Sequence, residues 1–169
     1  TEEQTSSTEP VEDHPTLPPR QDHPAAWFGP AMAAMREEWT WTLTASEIAE
    51  IDAAADAVLA AGAGPVVLDA EKFPLPTVGP RLAVLRTNLL AGRGFELVRG
   101  LPLQEWPREK AAAAFLGIGS HVGAARSQNS AGHLLGHVRD LGLASDDPNV
   151  RIYQTAERQT FHADSCDVV

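Results

Sequence analysis

The chain has 169 residues and a formal net charge of -10, from 23 acidic and 13 basic side chains, and 43% of its residues are hydrophobic. Length and apolar content suit one folded domain rather than a disordered chain, while the acidic balance argues against a surface built to grip nucleic-acid phosphates or anionic lipid. No apolar run reaches the ~18 residues that a membrane-spanning helix needs, and Cys166, the sole cysteine, excludes an intrachain disulfide and a cysteine-based zinc site.

Residues 1–24 read as a flexible, acidic, proline-rich arm. Glu2, Glu3, Glu9, Glu12 and Asp13 lie there with no basic residue between them, Pro18 and Pro19 are adjacent, and apolar periodicity is lacking. A basic segment followed by an apolar core is also lacking, so the arm is not a secretory signal, and a reducing, cytoplasmic compartment is expected. The chain starts at Thr1 without Met, which leaves room for residues upstream. Residues 25–169 are expected to form the folded part. Trp27, Phe28, Trp39 and Trp41 open it in quick succession, and such a cluster is read as a packing anchor.

Thr44 and Glu47 have the spacing of a capping box, in which each side chain satisfies a backbone N–H at the start of a helix. Ile48, Ile51, Ala55, Val58 and Leu59 then recur at helical spacing, and Gly62 ends the run. A second helix is expected over about 79 to 91, with Leu82, Leu85 and Leu89 on one face and Gly92 beyond it. The stretch between these helices reads as loop with a short strand at Val66–Leu68. Phe95, Leu97 and Val98, between Gly94 and Gly100, read as a strand. Pro107 suits the first turn of a third helix that runs through Ala111, Phe115 and Ile118 to about Ser120.

Past Ser120 helical periodicity fades, and apolar runs appear at His133–Val138, Val150–Gln154 and Phe161–Val169. Arg151–Thr155 reads as a strand, and Phe161–Asp164 as the start of another. Helices first and strands later suggest an α+β fold with helices flanking a mainly antiparallel sheet.

The chemistry gathers at Thr160-Phe-His-Ala-Asp-Ser-Cys-Asp167. On an extended segment, side chains two positions apart share a face. His162 and Asp164 can therefore offer one imidazole nitrogen and one carboxylate oxygen to a single metal. A second, distant His would complete the two-His-one-carboxylate set, which leaves coordination sites open for cosubstrate and oxygen. The spacing alone is a weak signal, because a surface His beside a solvated Asp has the same pattern.

Residues Asn149–Val169 resemble the taurine dioxygenase/TfdA family, whose iron site begins with a His-x-Asp after a segment of this kind. Gly94-Phe-Glu-Leu-Val-Arg-Gly-Leu-Pro102 is similar to that family's early strand and the turn after it. Gly123–Gly142, with Gln128-Asn129 and Gly136-His-Val-Arg-Asp140, resembles its loop between helix and iron-binding strands. The resemblance covers about residues 25–169 and implies a double-stranded β-helix, or jelly roll, of the clavaminate synthase-like kind, decorated by helices. It further implies an Fe(II)- and 2-oxoglutarate-dependent dioxygenase that uses O2 to hydroxylate a C–H bond of a small-molecule substrate, with release of succinate and CO2. His162 and Asp164 would be its catalytic metal ligands, with Gln159 and Tyr153 lining the substrate pocket.

The family's distal His ligand and its 2-oxoglutarate-binding Arg are expected beyond Val169, so the chain reads as the N-terminal half of such an enzyme, inactive alone. The alternative is a non-catalytic jelly-roll binding or scaffold protein with a vestigial His-x-Asp.

Other candidates are weaker. His133 and His137 have the spacing of a helical zinc pair, but Gly132 and Gly136 oppose a helix there, so a loop or short strand is expected; His137 or Arg139 could approach substrate. Asp167 would face away from His162 on a strand, and Cys166, sharing the parity of His162 and Asp164, reads as a small buried residue. Gly117-x-Gly119 and Gly92-x-Gly94 lack the setting of a dinucleotide fingerprint, and no G-x-S-x-G nucleophile elbow occurs.

Overall fold

The computed structural model describes residues 19–62, 68–127, 132–136, 138–160 and 168. The expected arm 1–24 therefore falls largely outside the described residues, as do Val66 and Val67 of the expected strand at 66–68; Leu68 has irregular backbone.

In chain order the elements are α1 (Gly29–Ala34), a 3-10 turn at Arg36–Trp39, β1 (Thr40–Thr42), α2 (Ala45–Ala60), α3 (Val78–Ala91), β2 (Leu97–Arg99), α4 (Arg108–Ser120) and a second 3-10 turn at Ile152–Gln154. The three long helices lie close to where the apolar spacing puts them.

Thr44 starts α2 as its sequence requires. Its hydroxyl accepts from the Glu47 N–H at 3.3 Å, and Glu47 Oε2 accepts from the Thr44 N–H at 2.8 Å, so the capping box closes in both directions. At the other end Gly62 takes φ 68°, the left-handed conformation that glycine adopts without a Cβ penalty. The start of α3 is built differently. Thr77 supplies no side-chain cap, and Glu50 of α2 accepts from the N–H groups of Thr77 and Val78 at 2.9 and 3.0 Å. A carboxylate at a helix N-terminus satisfies orphan donors and meets the positive end of the dipole. Here the neighbouring helix provides it.

The core is formed by Ile51, Ala54, Ala55 and Val58 of α2, Val78, Leu82 and Leu85 of α3, Ala113 and Ala114 of α4, and Phe73 and Leu75 of the loop before α3. Trp41 of β1 and Leu43 just after it, two positions apart in the chain, join it. The alanines let α2 and α4 pack closely, and Lys110 ties their surfaces together with ion pairs to Asp52 at 2.7 Å and Asp56 at 2.9 Å. Phe73 is fully buried against Gly117, where an added Cβ would lie only 2.4 Å from the ring. Gly117 is thus required for space rather than for its dihedral freedom.

The N-terminal aromatics pack around Phe95 in the turn before β2. The rings of Trp27 and Trp39 meet Phe95 edge-on, with centroids 5.1 and 5.4 Å away. Trp27 Nε1 donates to Arg93 O at 2.9 Å, and Arg93 reaches Glu38 O and the Glu96 carboxylate, each at 2.9 Å. Trp27, Trp39 and Trp41 are thus packing residues, as expected. Phe28 is not: it is 76% exposed.

Two expectations are corrected. β1 and β2 pair in parallel, Thr40 with Leu97, Trp41 with Val98 and Thr42 with Arg99, and not in the antiparallel manner expected of the sheet. The reason is the connection, since α2 and α3 lie between the strands and form the crossover that parallel neighbours need. Arg151–Thr155 is a 3-10 turn rather than a strand. Gln154 N–H donates to Arg151 O at 2.8 Å, Gln154 Oε1 accepts from Arg151 N–H at 3.0 Å, and both the Thr155 N–H and hydroxyl donate to Ile152 O. Polar side chains that close on nearby backbone compete with a sheet ladder, and here they win. Residues 133–136 and 138, within the apolar run at His133–Val138, are irregular, which agrees with the loop among the two forms expected there. The described residues therefore form a mixed helical structure with one two-stranded sheet, compatible with the α+β class. No jelly roll is present among them.

Two tests follow from this packing. Gly117→Ala gains about 1 kcal/mol of helix propensity but forces a methyl into the Phe73 ring, an overpacking cost of about 1–3 kcal/mol. The rigid ring decides the sign, and the variant should unfold at lower denaturant concentration; an unchanged or raised midpoint would contradict the contact. The second concerns Glu47, whose pKa is held below its ordinary 4.5, chiefly by the Thr44 N–H and further by the Thr44 hydroxyl and Arg81, with burial opposing. The unfolded carboxylate takes up its proton first as pH falls, so the stabilisation is complete above pH 4.5 and is lost as pH falls through the lowered value. Glu47→Gln should be less stable than the parent near neutrality, and the gap in denaturation midpoint should shrink in acid below that value. A gap independent of pH would refute the role of the charge.

Candidate metal site

His162 and Asp164, the residues on which the iron reading rests, lie outside the described residues, together with Phe161, Ala163, Ser165, Cys166 and Asp167. His137 and Gln128-Asn129 lie outside them as well. The structure does describe the chain that leads into the His-x-Asp segment.

Residues 138–141 run beside the 3-10 turn at Ile152–Gln154. The Arg139 N–H donates to Tyr153 O at 3.0 Å and the Leu141 N–H to Gln154 O at 2.8 Å. Residues 138–141 and the 3-10 turn at Ile152–Gln154, set apart in sequence, are thereby joined through backbone. Two local turns hold the edges of this unit. Asp140 Oδ1 accepts from the Gly142 N–H at 2.7 Å, and Asp147 Oδ1 from the Asn149 N–H at 2.8 Å, both Asx turns in which a short carboxylate stands in for a backbone acceptor.

Tyr153 is half-buried within the unit, whereas Gln159 is exposed. The two expected pocket residues therefore occupy unlike surroundings. Thr155, between them, is buried, and its hydroxyl donates to Ile152 O at 2.9 Å and accepts from the Glu157 N–H at 3.1 Å. An open concavity of about 390 Å³ lies on this unit, with Asp140, Leu143, Asp146 and Glu157 among its lining residues. Among the described residues no group of three His, Cys, Asp or Glu side chains is placed to hold a metal ion.

His121 and His133 are among the described histidines. His121 Nε2 meets Phe73 O at 2.8 Å and its ring packs near Gly79, which fastens the end of α4 to the loop before α3. His133 sits in irregular backbone rather than on a helix, in keeping with the loop expected for it. Among the described residues no helix is long and apolar enough to cross a membrane.

The backbone tie between 139–141 and 153–154 was not legible from residue types, because the apolar run at 133–138 stops short of Arg139 and nothing local links it to Tyr153. The nearest signal is Asp140 followed by Gly142, which marks the turn that brings the first segment round.

No protein-family profile matches the sequence. The proteins similar to it include two with curated names. A taurine hydroxylase-like protein of Stachybotrys chartarum is 32% identical over 116 residues, which make up 68% of this chain and 30% of the relative. FR-33289 synthase of Streptomyces rubellomurinus is 30% identical over 132 residues, 78% of this chain and 39% of the relative. The chain is homologous to both. The matched stretches span between 30% and 39% of the length of these relatives. They reach over most of this chain, so the similarity is not confined to one short motif.

The pairing predicts a pattern of amide exchange. Arg139 and Leu141 should exchange with solvent deuterium more slowly than Val138 and Leu143, which flank them in the same loop. Equal rates at all four would show that the loop is not tied to the 3-10 turn.

Proposed function

We propose that the chain is part of an Fe(II)- and 2-oxoglutarate-dependent oxygenase of the taurine dioxygenase/TfdA family, which hydroxylates a small molecule. One conjunction supports this most strongly. A His-x-Asp stands at 162–164, and the sequence is similar over most of its length to a protein named taurine hydroxylase-like.

In this reading His162 contributes a neutral imidazole nitrogen and Asp164 a carboxylate oxygen. Such a donor set suits ferrous iron: a hard carboxylate and an imidazole match the two-His-one-carboxylate arrangement, in which open positions remain for cosubstrate and oxygen. The second imidazole and the Arg that pairs with 2-oxoglutarate are assigned to parts of the whole protein beyond Val169. Bound iron and 2-oxoglutarate supply the oxidising chemistry. The overall reaction converts 2-oxoglutarate, O2 and R–H into succinate, CO2 and R–OH.

The protein's share is placement. The unit formed by 138–141 and 152–155, joined by two backbone hydrogen bonds, precedes the ligand segment in sequence. Tyr153, half-buried on this unit, is proposed to border the substrate pocket, with Gln159 nearer to the ligands in sequence. Cys166 takes no part in the donor set, in keeping with an iron site of oxygen and nitrogen ligands.

The whole protein should release succinate from 2-oxoglutarate only when Fe(II) is supplied. His162→Ala and Asp164→Ala should abolish this release, while His133→Ala and Asp167→Asn should retain it. Undiminished succinate formation by His162→Ala would overturn the ligand assignment. Absence of Fe(II)-dependent release from the parent protein, with a range of amino-acid, sulfonate and aryloxyacid substrates supplied, would overturn the oxygenase reading.

A further inference from the structure

We draw no further inference here: the strongest candidate, the uncharged surface strap of residues 24–35 that carries α1 and leaves Trp27 44% and Phe28 76% exposed, carries nothing because nothing in the structure shows what covers it.

Discussion

The buried carboxylate of Glu47 is the constraint around which the described fold assembles. A charge 4% exposed is tolerated only when it is paired and hydrogen-bonded. Glu47 meets that condition by joining three elements at once. Its Oε2 closes the capping box at the start of α2, and its Oε1 accepts from Arg81 of α3. The Arg81 guanidinium in turn lies 4.0 Å from the centroid of the Trp41 ring, which belongs to β1. A cation held over an indole by a buried carboxylate keeps β1, α2 and α3 in one arrangement, and Glu50 on the next turn of α2 finishes the start of α3.

That arrangement dictates the rest. With α2 and α3 fixed against one face of β1, the chain returns to pair β2 alongside β1 in the same direction. The turn before β2 carries Phe95, and the edge-on contacts from Trp27 and Trp39 fold the N-terminal aromatics onto it. On the far side α4 reaches α2 through small residues, where Lys110 spans two aspartates and Phe73 fills the space that Gly117 leaves. Large apolar side chains provide most of the driving force; the small residues set how near the helices can come.

Much of this was legible. Thr44 and Glu47 announce the helix start, because the capping box is a local device with a fixed spacing, and Gly62 announces its end for an equally local reason. The second role of Glu47, as partner of Arg81, was not legible, since those residues are 34 positions apart and nothing local links them. The direction of strand pairing escaped for the same reason: it depends on how α2 and α3 stack, not on the residues of the strands. Arg151–Thr155 misled because Ile152 and Tyr153 favour extended backbone, whereas Gln154 and Thr155 offer short-range hydrogen bonds that close a turn. Phe28 shows the opposite limit, as aromatic character alone does not place a ring inside. The candidate site was legible only as two residue types at a fixed spacing, with homology as its support. His162 and Asp164 lie outside the described residues.

The functional account stands on shared ligation of one ferrous ion by His162 and Asp164. It is tested most directly by anaerobic titration of the whole protein with Fe(II), followed in the absence of substrate and oxygen. The account predicts saturable binding of a single ion by the parent protein and loss of that binding in both His162→Ala and Asp164→Ala. Parent-like affinity for Fe(II) in either variant would contradict it.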